Sequence, residues 1–302
     1  MVQTSEKILI SIITPTFNRK KYLEKLFCSL EEQTSKKFKW IIVDDGSTDN
    51  TKEVITEFLE KQERGFEIQY IYKENGGKHT ALNKAMEFVN TELVFIVDSD
   101  DYLPKNSIHI IEKYYEKFND VKNQEKLCGY SFLRCHADGR VNTAYFPENE
   151  KIDSYCNVRI NGNIGGDKAE VYYTDILKRY PFPVFEGERF LAEDIVWMQM
   201  SGPYNMVHIN ENIYTCDYLE GGLTTTGRRM KIKSPRGMML RSKIYLDDSK
   251  VCLKVKIKMM LLYIIYGHFA KSEVKGMYKS ISQKLLFTIL FVPAKIIAHS
   301  WE

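Results

Sequence analysis

Pairing is what the cysteines of this chain lack. Cys28, Cys128, Cys135, Cys156, Cys216 and Cys252 are scattered through 302 residues, with no two at the spacing of a metal knuckle or a redox couple. A zinc site or a disulfide framework therefore has no support in the cysteine pattern, and a reducing cytoplasm fits best. Long apolar runs are missing too. The longest uncharged ones, Met259 to Ala270 and Leu285 to Ala294, fall short of the roughly 20 residues needed to cross a bilayer, so no transmembrane segment is expected. Near the N-terminus, Ile8 to Ile13 follows Glu6 and Lys7. That run is too brief for a signal sequence and has no small-residue cleavage site after it, so secretion is not expected. His79, His136 and His208 stand singly, without ligand spacing, and read as structural or surface residues. There is no internal repeat and no low-complexity tract.

What is present is enough apolar material, 44% of residues, to bury a sizeable core in one large domain with an appendage, or in two domains. The charge is unevenly spread. From Arg228 onward there are 16 Lys or Arg against 4 Asp or Glu, a local +12 that leaves −9 on the preceding residues of a chain whose net charge is +3. The split predicts that the C-terminal part meets something anionic while the N-terminal part does the chemistry.

From Ile8 to about Val97, short β-rich runs alternate with stretches of helical spacing. Ile8 to Thr14, Phe38 to Asp44, Gln69 to Tyr72 and Leu93 to Val97 read as strands. Lys20 to Gln33 sets Leu23, Leu26, Phe27 and Leu30 on one helical face. Thr51 to Gln62 does the same with Val54, Ile55, Phe58 and Leu59, and Lys78 to Val89 makes a third helix. Such alternation predicts an α/β fold with a mostly parallel, right-handed sheet, whose ligands sit beyond the carboxyl ends of the strands. Further on, the pattern predicts a turn at Asn161 to Gly166, a helix from Lys168 to Arg179 and a short helix from Glu193 to Met200.

Two acidic clusters fall at those strand ends. Asp44-Asp45-Gly46-Ser47-Thr48-Asp49 follows Trp40-Ile41-Ile42-Val43. A turn into an N-capped helix explains Gly46 to Asp49, but Asp44 is better explained as an acid that hydrogen-bonds a nucleobase or ribose. Asp98-Ser99-Asp100-Asp101 follows Val94-Phe95-Ile96-Val97. Three acids within four residues repel one another, and Mg²⁺ or Mn²⁺ held against a diphosphate would offset that repulsion.

Together with Ile13-Thr14-Pro15-Thr16-Phe17-Asn18-Arg19, with Asn75-Gly76-Gly77-Lys78 followed by Ala81 and Asn83, and with Phe190-Leu191-Ala192-Glu193-Asp194-Ile195-Val196-Trp197, these clusters resemble inverting glycosyltransferase family 2, whose fold is named GT-A. The resemblance covers Ile8 to about Tyr218 and is similar to the pattern of bacterial capsular and exopolysaccharide enzymes. It implies that Pro15, Thr16 and Arg19 line the nucleotide pocket, that Asp44 reads the base, and that Lys78 lies near the nucleotide or diphosphate. Asp98, with Ser99 beside it, would contact the ribose or metal, and Asp100 would be the principal metal ligand, with Asp101 a second candidate. Asp194, with Glu193 behind it, would be the base that takes the acceptor's proton in a single displacement. Where many relatives place a histidine, this chain has Tyr214-Thr215-Cys216-Asp217-Tyr218, and Asp217 is the possible substitute ligand. Asp167-Lys168-Ala169-Glu170 resembles an acceptor-side segment of capsule-type relatives.

The expected division is a catalytic domain, 1–227, and a basic, mostly helical region, 228–302. The loop from Gly221 to Gly227 with Arg228, Arg229, Lys231, Lys233 and Arg236 could close over a diphosphate. Leu253, Val255, Ile257, Met260, Leu261 and Ile264, interleaved with Lys254, Lys256 and Lys258, and the stretch from Lys284 to Trp301 read as basic amphipathic helices suited to an anionic membrane surface. The resulting expectation is a metal-dependent enzyme at the inner face of the cell membrane, moving a sugar from a UDP-sugar to a polyprenyl-diphosphate-linked glycan. Two other readings compete. A nucleotidyltransferase should carry a Gly-rich triphosphate loop at the first strand, and Thr14 to Arg19 has no glycine. A non-catalytic carbohydrate-binding protein would not need Asp98, Asp100, Glu193 and Asp194. Nucleic acid is not an expected partner, because the basic residues are confined to the tail and no recognised motif accompanies them.

Overall fold

The computed structural model describes residues 7–61, 65–142, 144–216, 227–271 and 279–302. They fall into two units. The first comprises Met1–Asp153, Ile164–Pro181 and Pro203–Tyr218, and the second comprises Ser154–Asn163, Phe182–Gly202 and Leu219–Glu302.

The first unit opens with β1 (Ile10–Thr16), α1 (Lys20–Glu31), β2 (Phe38–Asp44), α2 (Thr51–Glu60), β3 (Glu67–Tyr72), α3 (Lys78–Met86) and β4 (Leu93–Ile96). It continues through α4 (Ser107–Phe118), β5 (Leu127–Cys135), β6 (Lys151–Asp153), β7 (Lys168–Tyr173), α5 (Thr174–Leu177) and β8 (Asn205–Thr215). One sheet has the order β3-β2-β1-β4-β7-β5-β8-β6. Pairs β1–β2, β1–β4, β2–β3 and β5–β8 are parallel, whereas β7 runs antiparallel to both β4 and β5, and β6 to β8. Every residue of β1 and β2 is buried, as a parallel strand covered on both faces requires.

The cover comes from the expected helical faces. Leu23, Leu26, Phe27 and Leu30 of α1 are all buried. Phe27 stacks on Phe58 of α2 at 4.2 Å between ring centroids, and the buried Trp40 donates its indole N–H to Thr14 Oγ1 at 2.9 Å. The α2 face is narrower than its sequence predicts: Ile55 and Phe58 are buried, but Leu59 is exposed. Pro15 fits β1 for a specific reason. Ile13 O accepts from Val97 N toward β4, so the Pro15 nitrogen, two residues on, faces the same side. There the β1–β4 pairing has already ended at Ile13–Ile96, and no ladder bond is lost.

The helix expected over Lys168 to Arg179 is corrected. Lys168–Tyr173 is a central strand, and only Thr174–Leu177 is helical. Helix-favouring Lys, Ala and Glu are overridden by pairing on both sides and by burial of Ala169, Val171, Tyr172 and Tyr173. Lys168 is buried with them because its ammonium donates to Ala144 O at 2.6 Å.

The second unit holds a π-helical turn at Cys156–Asn161, then α6 (Asp194–Ser201), α7 (Gly227–Lys233), α8 (Pro235–Asp247), α9 (Leu253–Phe269) and α10 (Ile281–His299). α8 packs against α6 and α9, and α9 against α10. Two expectations change here. In α9, Met260 and Ile264 are buried while Leu253 and Ile257 stay exposed, so much of its apolar face belongs to the protein interior. α10 has 19 residues, and an 18-residue stretch of it has a mean hydropathy of 1.6, long and apolar enough to cross a membrane by length and composition. The uncharged run counted from sequence stopped short because Lys284 and Lys295 interrupt it, and the helix continues through both.

Candidate active site

Four loops at the carboxyl ends of β1, β2, β3 and β4 assemble the site in the first unit. After β1, Asn18 takes a left-handed φ of 52°. Its backbone N–H donates to Ser47 Oγ at 2.9 Å, and its side-chain oxygen accepts from Thr48 N at 2.8 Å. Pro15 and Thr16 end β1 fully or nearly buried, and Thr16 Oγ1 is a buried oxygen without a hydrogen-bond partner. Such an orphan at a strand end suits a ligand hydroxyl or amide. Asp44, 1% exposed, accepts from Ser47 N at 2.8 Å and from Tyr70 O–H at 3.1 Å. Burial and the neighbouring Asp44 charge push the Tyr70 phenol well above its ordinary range. Tyr72, the register partner of Asp44 on β3, is 59% exposed.

Asp45 ties these loops together. It is buried and accepts from Gly76 N at 3.0 Å, Gly77 N at 2.7 Å and Lys73 Nζ at 2.5 Å, fixing the turn that starts α3 and points Lys78 at the fourth loop.

In that fourth loop, three acids meet three cations. Asp98 pairs with Lys78 at 2.5 Å and Arg134 at 3.6 Å. Burial alone would raise its carboxyl, but the charges of Lys78 and Arg134 hold it below the usual carboxylate value. Asp101 is 7% exposed. It accepts from Tyr214 O–H at 2.7 Å and lies 3.8 Å from Arg134. Burial and the repulsion of Asp98 push it up to about 7. The Tyr214 oxygen also accepts from Asp98 N at 2.9 Å, and the Arg134 guanidinium lies over the Tyr214 ring at 3.9 Å. Asp100 pairs with Arg19 at 3.5 Å. Burial and Asp98 raise its carboxyl above the ordinary value despite that arginine. Ser99 is buried between them.

This electrostatic pattern fits a divalent cation. Asp100 is raised first by burial and then by the charge of Asp98, which Arg19 and Lys78 only partly offset, and hard oxygen ligands on one loop suit Mg²⁺ or Mn²⁺. Asp98 and Asp100 keep side chains 25% and 28% exposed, so they are the carboxylates able to hold it, whereas Asp101 is engaged by Tyr214 and Arg134. Asp217 lies outside the described residues, as does most of the Gly221 to Gly227 loop.

The acidic pair expected to hold the base lies in the second unit. Asp194 opens α6, with Glu193 at the cap position. Arg241 Nε donates to Asp194 Oδ1 at 2.7 Å and to Oδ2 at 2.8 Å, and Tyr245 O–H donates to Oδ2 at 2.7 Å. Arg241 Nη2 also donates to Oδ2, so Oδ1 carries the lighter hydrogen-bond load. Burial would raise this carboxyl, but the Arg241 charge and the hydrogen bonds from Arg241 and Tyr245 outweigh it and hold it below its usual value. At neutral pH the group is ionised.

Asp45, Arg134, Tyr214, Arg241 and Tyr245 were not singled out from sequence. Arg134 had a visible signal, as the one charged residue in the strand Leu127-Cys128-Gly129-Tyr130-Ser131-Phe132-Leu133-Arg134-Cys135. Arg241 had none, because it looked like one more cation of a basic tail.

Comparison with known proteins follows the same lines. Residues 11–124 match Glycosyl transferase family 2. Over 228 residues the chain is 36% identical to Glycosyltransferase GlyG of Streptococcus pneumoniae serotype 4, covering 72% of this chain and 73% of GlyG. The chain belongs to glycosyltransferase family 2. This family-2 chain is also 35% identical over 130 residues to TuaG of Bacillus subtilis, a protein named for teichuronic acid biosynthesis. That match covers 43% of this chain, and it spans about half of TuaG, 47%. Among solved structures, S. aureus TarS 1-349 in complex with UDP-GlcNAc superposes with a TM-score of 0.61 at 21% identity, over 95% of this chain and 81% of that one. The mannosyltransferase PcManGT from Pyrobaculum calidifontis, in complex with GDP-Man and Mn²⁺, gives 0.60 at 16% identity, over 98% and 85%. At these identities the likeness is one of fold, and the fold is GT-A.

Proposed function

We propose that this family-2 protein transfers a sugar, with inversion, from a nucleotide-sugar of the UDP class to a glycan carried on a polyprenyl diphosphate, in the synthesis of a bacterial surface polysaccharide. The observation that carries the reading is the geometry of one loop, where Asp98 and Asp100 lie beside Lys78 and Arg19 at the end of the same sheet as Asp44. The UDP-GlcNAc held by TarS supports the donor class, the Mn²⁺ held by PcManGT supports the metal, and the name of TuaG supports a surface-polysaccharide acceptor.

In this reading Asp44 and Thr16 Oγ1 hydrogen-bond the nucleoside, walled by Pro15 and by the exposed Tyr72. Lys78 and Arg19 turn from their carboxylate partners to the diphosphate. Asp100 and Asp98 would hold Mn²⁺ or Mg²⁺, which when bound would supply Lewis-acid neutralisation of the charge on the leaving diphosphate. Arg134, Tyr214 and Asp101 keep the metal-holding loop in place. Asp194 Oδ1 accepts the proton of the acceptor hydroxyl as that oxygen attacks the anomeric carbon, while Arg241 and Tyr245 fix the carboxylate's orientation. Glu193 is the alternative base. Work on a polyprenyl-linked acceptor sets the enzyme at the inner face of the cell membrane.

The test is calorimetric titration with UDP-GlcNAc and GDP-mannose, each with Mn²⁺ or with chelator, on the wild type and Asp100→Ala. Metal-dependent binding of one donor, lost in the variant, is the expected result. Equal binding in chelator would remove the metal from the reading, and the absence of any binding, including that of free UDP with Mn²⁺, would overturn it.

A further inference from the structure

α10 is apolar on two opposite sides, and among the described residues one of them is packed against the rest of its unit while the other stays exposed. Gln283, Phe287, Ala294 and Ala298 are buried, and Gln283 Nε2 anchors that side by donating to Leu246 O of α8 at 2.9 Å. Opposite them, Ile281 is 89% exposed, Leu285 60%, Ile289 60%, Val292 64% and Ile296 67%. At about 100° per residue these five side chains fall within an arc of about 80°, so they form one continuous stripe along the helix. Isolated exposed leucines are ordinary, but a contiguous apolar stripe of this kind marks an interaction surface.

Charge decides what covers it. α10 contains no Asp or Glu, and its two lysines, Lys284 and Lys295, sit on the same flank of the stripe. The chain from Arg228 onward carries +12. An apolar arc bordered by lysines, with no acid on the helix, matches the boundary between acyl chains and anionic headgroups. The lysine stems can lie along the acyl region while the ammonium groups reach the phosphates. A helix crossing the bilayer would have to give up the packing of Phe287, Ala294 and Ala298 and the Gln283 bond to α8. Lying in the interface keeps both sides satisfied.

We propose that the Ile281–Leu285–Ile289–Val292–Ile296 face of α10 inserts into the surface of an anionic membrane, parallel to its plane. The inference deepens the proposed function, since it rests on an acceptor held at the membrane, and it assigns the attachment to α10 rather than to the lysine-rich start of α9.

The test is co-sedimentation of the full chain with phosphatidylcholine vesicles, with and without phosphatidylglycerol, beside UDP-GlcNAc binding by calorimetry and sedimentation velocity without lipid. The wild type is expected to pellet with phosphatidylglycerol vesicles. The double variant Leu285→Glu, Ile289→Glu is expected to partition at least about tenfold more weakly, with the same donor affinity. Should that variant misfold by circular dichroism, Val292→Ser, Ile296→Ser replaces it, with a loss of several-fold. Wild type that stays in the supernatant with every vesicle, or a folded variant that pellets equally, overturns the proposal. So does a wild-type dimer in sedimentation velocity that the variant converts to monomer, because a second copy would then cover the stripe. Lost vesicle binding with intact donor binding tells only against the membrane face, and the reverse result tells only against the transferase reading.

Discussion

Asp194 shows how much a single carboxylate's neighbours decide. The proposed role as base requires an ionised carboxylate at working pH, and Arg241 with Tyr245 favours that form by holding the group below its usual value. The same contacts make it a stabilising pair, with Asp194 18% and Arg241 20% exposed at the side chain. Because the folded carboxyl lies below the unfolded value of about 3.9, its stabilisation is fully present above that pH and is lost as pH falls through the folded value. Arg241→Met is therefore expected to cost about 3–5 kcal/mol at pH 7, with the gap from wild type closing below about pH 4. Urea melts of both proteins at pH 7 and pH 3 check this, and a gap unchanged between the two would show that the ion pair is not its source. Tyr214 has an equivalent place in the loop proposed to hold the metal. Tyr214→Phe leaves Asp98 N and Asp101 without the hydroxyl, which should cost about 1–3 kcal/mol and weaken metal-dependent donor binding in calorimetry.

At the scale of elements, the site depends on how closely the β2 and β3 loops approach. Gly46 has a φ of 84°, and a Cβ there would lie 2.8 Å from Asn75 N, a backbone atom that cannot swing aside. Gly46→Ala is expected to destabilise by about 1–3 kcal/mol and to raise the donor Kd, because Asp45 would lose its hold on Gly76 and Gly77. Chemical melts and titration with UDP read the two effects separately. These loops were legible in sequence because Asp44, Gly46, Asn75, Gly77 and Asp98 punctuate the ends of apolar runs, and strand β2 was bounded to the residue by that contrast. β7 was not legible, since Lys168-Ala169-Glu170 carries helical preference and only its place between β4 and β5 makes it a strand. Arg134 and Tyr214 were missed for a related reason: their meaning comes from β5 and β8 being neighbours, which pairs Arg134 with Tyr214 although the two residues are far apart in the chain. The stripe on α10 was half visible. Its apolar character was plain, but which side the protein itself buries depends on α8 and α9.

For the whole molecule, the residues assigned to donor and metal lie in the first unit and Asp194 lies in the second, so binding and proton transfer should separate under mutation. A ligand that binds only the folded chain stabilises it by RT ln(1 + [L]/Kd), about 2.7 kcal/mol at a hundredfold excess over Kd. UDP with Mn²⁺ is therefore expected to raise the melting temperature by several degrees, chelator to reverse the rise, and Asp100→Ala to abolish it. Asp194→Asn should behave differently. Its starting melting temperature falls because a charged partner of Arg241 is lost, but the rise on adding UDP and Mn²⁺ should match the wild type, while sugar transfer drops by about 10²–10⁴. Thermal melts paired with a transfer assay separate the two outcomes. If Asp194→Asn also lost the ligand-induced rise, the carboxylate would be acting through the donor site and not on the acceptor's proton, and Glu193→Gln would become the variant that decides the base.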